Sequence, residues 1–313
     1  MIGRGLQRRP IPGVTAPAVT DLPVLLPPAE SLRRADRQER RAGAWRPALK
    51  ARHGIGLVLL FVTLCGVAEA AEGGPEGVFT VFLRWVPFVL MGGLPGSDNF
   101  GNGFLLNLII SFMAMAIATV AGAFLGLMQV SLLLPVRAGS WLVTQFFRNS
   151  PWLVLLFCIM LLLPFEIEIG DLIIPVPDWT KATIGFSLPV MANISEVVRG
   201  AVQSLPHGQW ESAESLAFTR RQTLWMIILP QCVKRMIPPW VNWYCILAMA
   251  TPLCSIMGVE ESVTLTQQAL AAEGGRPELL GPFYSFLLVI YFAYTYPIAR
   301  WSIRLERKYA VKL

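Results

Sequence analysis

Phe-Leu-Leu-Asn-Leu-Ile-Ile-Ser-Phe-Met-Ala-Met-Ala-Ile-Ala-Thr-Val-Ala-Gly-Ala-Phe-Leu-Gly-Leu-Met-Gln-Val, residues 104–130, carries no ionisable side chain. As a helix it would reach about 40 Å at roughly 1.5 Å per residue, more than the ~30 Å hydrocarbon core of a bilayer. No water is available at that depth to satisfy backbone N–H and C=O groups, so the run has to be helical. Four more runs of comparable character follow, at 141–164, 181–199, 238–259 and 282–301. The whole chain agrees with them. Of its 313 residues 54% are apolar and only 15% charged, against about 25% charged in ordinary soluble domains, and the mean hydropathy is +0.55. A disordered chain, a coiled coil and a soluble two-domain enzyme are excluded, which leaves an all-α, multi-pass membrane protein.

The ends of the chain divide it further. Residues 1–54 hold eleven Lys and Arg among many prolines and no sustained apolar period, which predicts a disordered basic tail. The apolar run 55–68 is short for a span, and Ala68-Glu69-Ala70 resembles a signal-peptidase site. It reads either as an extra N-terminal helix that is retained or as a cleaved signal. Residues 78–93 carry Arg84 and Pro87 inside an apolar stretch and read as interfacial or partly buried. The domain reading is therefore 1–54 tail, 55–100 first hydrophobic segment and interfacial stretch, 101–303 membrane domain, and 304–313 C-terminal tail.

Charge sets the orientation. With the tail inside and the 55–68 run crossing, the inside segments 1–54, 131–148, 199–236 and 300–313 hold 23 of the 26 Lys and Arg, while the outside loops keep Arg84, Lys181, Arg276 and twelve acids, among them Glu166, Glu168, Glu260, Glu261 and Glu273. This satisfies the positive-inside rule at every loop. It also explains the net charge of +6 without nucleic acid, since the basic residues flank spans and do not line a groove. The five cysteines show no CxxC and have no His at ligand spacing, so they read as small hydrophobes and not as metal ligands.

The longest inside connection, Arg199 to Gln231, is too long to be structureless. Past Pro206 and Gly208, Trp210, Ala213, Leu216 and Ala217 recur at helical spacing and form one apolar stripe. Thr219-Arg220-Arg221-Gln222 reads as a capping box that opens a second helix. Leu224, Ile227 and Ile228 continue that helix until Pro230 and Pro238-Pro239 interrupt it. Two short helices meeting at 217–219 make a knuckle, with Trp210, Leu216 and Phe218 rimmed by Glu211, Glu214, Arg220 and Arg221. Such a surface suits either partner docking or a lipid-surface helix.

This stretch resembles the cytoplasmic loop of permease subunits of ATP-binding-cassette importers, the pattern E-A-A-x-x-x-G-x(9)-I-x-L-P. Glu211-Ser212-Ala213 stands for E-A-A, Ala217 for the Gly, and Ile227-Ile228-Leu229-Pro230 for I-x-L-P. Phe147-Arg148-Asn149-Ser150-Pro151 resembles F-R-G-T-P of the polar amino-acid uptake branch. Glu196-Val197-Val198-Arg199-Gly200 resembles its E-I-x-R-G, and Tyr296-Pro297-Ile298-Ala299-Arg300 its Y-P-L-S-R. The likeness covers about residues 100–310. It implies a five-helix type-1 ABC permease core preceded by the extra N-terminal segment. It also implies a second permease (identical or related), two cytoplasmic ATPase subunits, an extracytoplasmic substrate-binding protein, an amino-acid cargo, and a bacterial inner membrane location with tail and knuckle cytoplasmic. Within the knuckle it points to Trp210, Glu211, Ser212, Ala213, Ala217, Phe218, Ile227, Leu229 and Pro230, with Glu211 as polar anchor and Trp210, Ala213 and Ala217 as the buried stripe.

Two departures stand out. Ala217 replaces the Gly, so the knuckle either avoids positive φ or is strained there. Met249-Ala250-Thr251-Pro252 replaces the branch's K-D-T-S, which makes cargo preference by analogy unsafe. ATP and Mg belong to the partner ATPase, because the chain has no GxxxxGK[ST] loop to cradle phosphates; this chain is read as no enzyme and as holding no cofactor. Asn107, Asn193, Glu196, Asn242 and Thr251, together with Gln129, are candidates for a polar path or for hydrogen bonding inside the bundle. Glu196 has Arg199 at i+3, so it is either a salt bridge or a gate. An ion-coupled secondary transporter is the alternative class; it would want more acids in mid-span and no knuckle.

Overall fold

A computed structural model describes residues 77–93, 101–169 and 172–309. The basic tail and the 55–68 run lie outside the described residues. The first described helix, α1 (Val78–Met91), ends at Gly92 in the left-handed conformation (φ 78°). It is followed by α2 (Phe104–Gln129), α3 (Leu134–Asn149), α4 (Trp152–Leu162), a two-stranded antiparallel hairpin β1 (Glu166–Ile169) and β2 (Leu172–Pro175), and α5 (Asp178–Gln203). The second half holds α6 (His207–Ser215), α7 (Arg220–Gln222), a π-helical turn (Thr223–Ile228), α8 (Leu229–Ala250), a 3₁₀ segment (Thr251–Met257), α9 (Ser262–Ala272) and α10 (Pro277–Tyr309). Helix dominates, and the hairpin is the one sheet among the described residues.

Three described helical rods are long and apolar enough to cross a membrane: Phe104–Gln129, Arg220–Met257 and Pro277–Arg307. The expected span at 141–164 is not one helix. It breaks at Ser150-Pro151 into α3 and α4, which meet at 106°. Pro151 disfavours helical backbone at the residue before it, and Ser150 is extended (φ −80°, ψ 138°). The expected span at 181–199 lies within α5. At 26 residues α5 reaches about 39 Å, yet it is the helix with most side chains buried in the protein, and it carries buried Thr183, Ser187, Asn193 and Ser195. Its polar groups are sheltered by neighbouring helices and not by apolar content of its own.

The main core packs α2 against α5, with Ile110, Ala114, Met115, Phe186, Val190 and Ile194 buried between them. Small residues permit the close approach. A Cβ on Gly122 would stand 2.7 Å from Met191 O, and one on Gly126 2.6 Å from Ser195 O. Both glycines sit on the same face of α2, four residues apart, and let the two backbones approach closely. A second cluster packs α1 on α9 and α10 through Val78, Val81, Phe82, Ala269, Leu279 and Phe283. Trp85 Nε1 adds a 2.7 Å hydrogen bond to Glu273. Residues 78–91 are therefore a helix docked on the bundle.

Proline acts differently at different sites. Pro230 follows the π-helical turn at the start of α8. Lacking an N–H, it leaves the preceding turn without its normal i→i−4 bond. Pro238 and Pro239 were expected to interrupt the rod, but α8 runs through them; Ser302 Oγ of α10 donates to Pro238 O at 3.0 Å. At Thr251-Pro252 the rod tightens into the 3₁₀ segment and ends at Gly258 (φ 78°).

Candidate functional site: the knuckle and the polar groups of the spans

The knuckle folds as the capping chemistry demands. Thr219 is extended, its hydroxyl accepts from Gln222 N, and the Gln222 side chain accepts from Thr219 N at 2.9 Å, so both halves of the capping box form. Just before it, Ala217 takes φ 59°, the single positive φ of a non-glycine residue among those described. Of the two readings of Ala217, strain is the one realised. Ser215 Oγ closes onto Glu211 O at 2.9 Å, and Phe218 N donates to Ala213 O at 3.1 Å.

The apolar stripe is narrower than expected. Ala213 is buried and Trp210 half-buried, with the Arg220 guanidinium 5.1 Å from its ring centroid, but Ala217 is exposed. The reason is local: the left-handed turn at Ala217 ends the helical periodicity that would have carried its methyl inward. Leu216, 72% exposed, stands at the tip instead. Glu211 and Ser212 are exposed, Phe218 is half-buried, and Pro230 is exposed at the foot of α8. Ile227 and Leu229 join a small core with Val202, Leu205, Ile228 and Cys232.

Two polar ties fix the knuckle to the spans. Gln231 Nε2 donates to Gln209 Oε1 at 3.1 Å, which joins α8 to α6. Arg235 Nη1 donates to both Ser204 O and Ser204 Oγ at 2.8 Å, which joins α8 to the end of α5. Above lies an apolar cavity of about 640 Å³ between α2, α5 and α8, bordered by Phe124, Val198, Trp225, Leu229 and Met236.

Of the candidate path residues only Asn107 and Thr251 come together; Asn193, Glu196 and Asn242 do not join them. Asn107 is buried, donates to Thr251 Oγ1 (3.1 Å) and Glu261 Oε2 (3.0 Å), and accepts from Ser262 N (3.1 Å). Asn193 is buried and donates to Pro189 O of its own helix at 2.8 Å. Asn242 is exposed on α8. Glu196 binds Arg199 Nη2 at 2.6 Å and lies 3.7 Å from Arg148 Nη1, so the salt-bridge reading holds and gains a second arginine from α3. Since α2 residues 122–126 lie against Met191–Val198, Glu196 is level with them. That places it about 25 Å along α2 from Asn107. Gln129 donates to Thr144 Oγ1 (3.0 Å) and Ser195 Oγ (3.1 Å), joining α2, α3 and α5.

Glu261 is the group the sequence reading missed. Counted with the acids of an outside loop, it is instead fully buried. Its Oε1 accepts from the backbone N–H of Val263 and Thr264 (2.9 and 3.0 Å), capping α9, and its Oε2 accepts from Asn107 and Ser262 Oγ. Burial pushes its carboxyl up from the usual range, and these four donors oppose the shift. An acid at the N-cap position before the helical apolar period Leu265, Ala269, Ala272 was the available signal. Lys181 is likewise buried and not free in a loop: its ammonium lies 3.3 Å from Asp178 Oδ1 and 3.4 Å from the Phe165 ring centroid.

The family model for "binding-protein-dependent transport system inner membrane component" matches residues 118–305. Over 210 residues the chain is 37% identical to the probable amino-acid ABC transporter permease protein YckA of Bacillus subtilis (strain 168), covering 67% of this chain and 88% of that protein. It is 33% identical over 258 residues to the glutamate/glutamine/aspartate/asparagine transport system permease protein BztC of Rhodobacter capsulatus, covering 82% of this chain but only 56% of BztC. A crystal structure of an amino acid ABC transporter with histidines superposes with a TM-score of 0.60 at 22% identity, over 74% of this chain and 98% of that one, which shows a shared fold. The chain therefore belongs to the family of binding-protein-dependent transport system inner membrane components and is a multi-pass permease subunit of an ABC importer.

Proposed function

We infer that this permease passes a polar amino acid, or a related compound, inward across the bacterial inner membrane. The knuckle of α6 and α7 takes the thrust of two partner ATPase subunits. A second permease, identical or related, completes the pathway, and an extracytoplasmic binding protein delivers the cargo. The tail and knuckle are cytoplasmic and the hairpin and α9 lie on the far side, in keeping with the distribution of Lys and Arg. The names of YckA and BztC support the cargo class.

The observation that carries this reading is the construction of the knuckle. Its tip exposes Leu216 and its first helix exposes Glu211, while its base is tied to α5 and α8 by Arg235, Gln231 and a shared apolar core. A push on the tip therefore moves two membrane rods as a body, as rigid-body switching requires. Glu211 offers a carboxylate to a basic or N–H-rich socket. Along the path, exposed Asn242 is the candidate available to cargo, whereas Asn107, Asn193 and Thr251 are engaged in helix contacts and Glu196 is held by its two arginines. The ion-coupled alternative has no observation in its favour.

Glu211→Lys tests the docking. Membrane insertion should be unchanged, while uptake and transport-stimulated ATPase activity should fall at least about tenfold, as when a buried interfacial charge is reversed. Normal uptake with this substitution would refute the docking role.

A further inference from the structure

A groove runs between α2, α8 and α10 on the opposite side of Thr119 from the cavity above the knuckle. It encloses about 610 Å³ and is bordered by Phe112, Met115, Trp240, Tyr244, Tyr294 and Trp301. A shallower extension of about 310 Å³ shares Phe112, Tyr244 and Tyr294 and continues to Leu108. The few polar groups on its wall are already engaged. Trp240 Nε1 donates to Thr119 Oγ1 at 2.7 Å, and that hydroxyl donates to Met115 O. The Tyr244 and Tyr294 hydroxyls bond each other, with Ser111 Oγ 3.5 Å from Tyr244. A polar amino acid would find no free partner here and would lose its hydration without return. The groove suits hydrocarbon.

Its length and its charged end narrow the occupant. From Leu108 to Val120 along α2 the wall extends about 18 Å, close to one leaflet of a ~30 Å hydrocarbon core. The wall ends at Trp301, 53% exposed, the amphipathic ring expected at headgroup level. One turn farther along α10, exposed Arg304 makes no ion pair among the described residues. We propose that this groove is a binding site for an anionic phospholipid, with one acyl chain along the aromatic wall and the headgroup phosphate at Arg304. The pairing follows from charge: a basic residue at the interface beside a groove between spans selects anionic headgroups over zwitterionic ones.

The test uses the full-length chain, purified with whatever subunits accompany it and reconstituted in vesicles of phosphatidylcholine with stepwise added phosphatidylglycerol, either lipid carrying brominated acyl chains. The fluorescence lost in Trp301→Phe isolates the signal from the groove. Brominated phosphatidylglycerol should quench that signal with an apparent affinity about fivefold above brominated phosphatidylcholine, the discrimination one arginine supplies near an anionic surface. Arg304→Gln, an exposed substitution that leaves the groove intact, should erase the preference but not the quenching. Ala116→Phe, which fills the groove, should reduce quenching by both lipids. Equal quenching by both lipids in the unsubstituted protein would mean ordinary surrounding lipid. Shielding from both would mean that a protein surface, such as the second permease, covers the groove. Either result overturns the proposal.

Discussion

Ala217 and Glu261 show how single residues set the ends of helices in this protein. Ala217 occupies φ 59°, where a Cβ crowds the following carbonyl at a cost of about 1–2 kcal/mol. Ala217→Gly should therefore raise the stability of the permease by about 1 kcal/mol, read as a higher melting temperature in detergent; a lower one would mean that the Ala217 methyl has a packing role. Glu261 has the opposite character, since every acceptor site it uses is matched by a donor. Glu261→Gln would place an NH₂ against either the two N–H groups of α9 or the Asn107 amide and Ser262 hydroxyl. It should cost about 1–3 kcal/mol, seen as a lowered melting temperature. A neutral result would mean that Asn107 turns over to accept from the new amide.

At the scale of elements, the pairing of α2 with α5 governs the bundle, and it rests on the absence of side chains at two points. With Ser195 O 2.6 Å from where a Cβ on Gly126 would stand, Gly126→Val has no small adjustment open to it. The helices would have to separate, costing about 1–3 kcal/mol or more and breaking the Gln129–Ser195 hydrogen bond one turn away. Reduced yield of folded permease and a lower melting temperature are expected; wild-type stability would show that the two backbones do not approach as described. The rod from Arg220 to Met257 departs from α geometry at both ends, through a π-helical turn near the knuckle and a 3₁₀ segment near α9. Proline next to each departure gives the physical cause, because a missing N–H removes the bond that would hold the α register.

For the molecule as a whole, the inferred orientation has a direct check. With Cys158 replaced by serine, a membrane-impermeant thiol reagent added to intact cells should label Glu168→Cys in the hairpin. Ser215→Cys at the end of α6 should react only after permeabilisation. The reverse pattern would invert the topology and remove the knuckle from the compartment where ATP is hydrolysed. The hairpin itself exposes Phe165, Ile167, Ile173 and Ile174 and was not foreseen, since a run such as Glu166-Ile167-Glu168-Ile169 is too short to distinguish strand from loop by its alternation alone.

Much of this architecture was legible in the residues. The membrane class, the spans at 104–130 and 282–301, the bent knuckle and the Thr219–Gln222 capping box all follow from local rules: apolar length against bilayer thickness, helical periodicity, and a side chain reaching its own backbone three residues away. What needed the tertiary structure involves partners distant in sequence. The passage of α8 through Pro238-Pro239, the burial of Glu261 and Lys181, and the splitting of the polar candidates into separate networks depend on which helix lies alongside. A carboxylate is affordable in a protein interior only where donors from other segments converge on it, and for Glu261 one of those donors, Asn107, is 154 positions away.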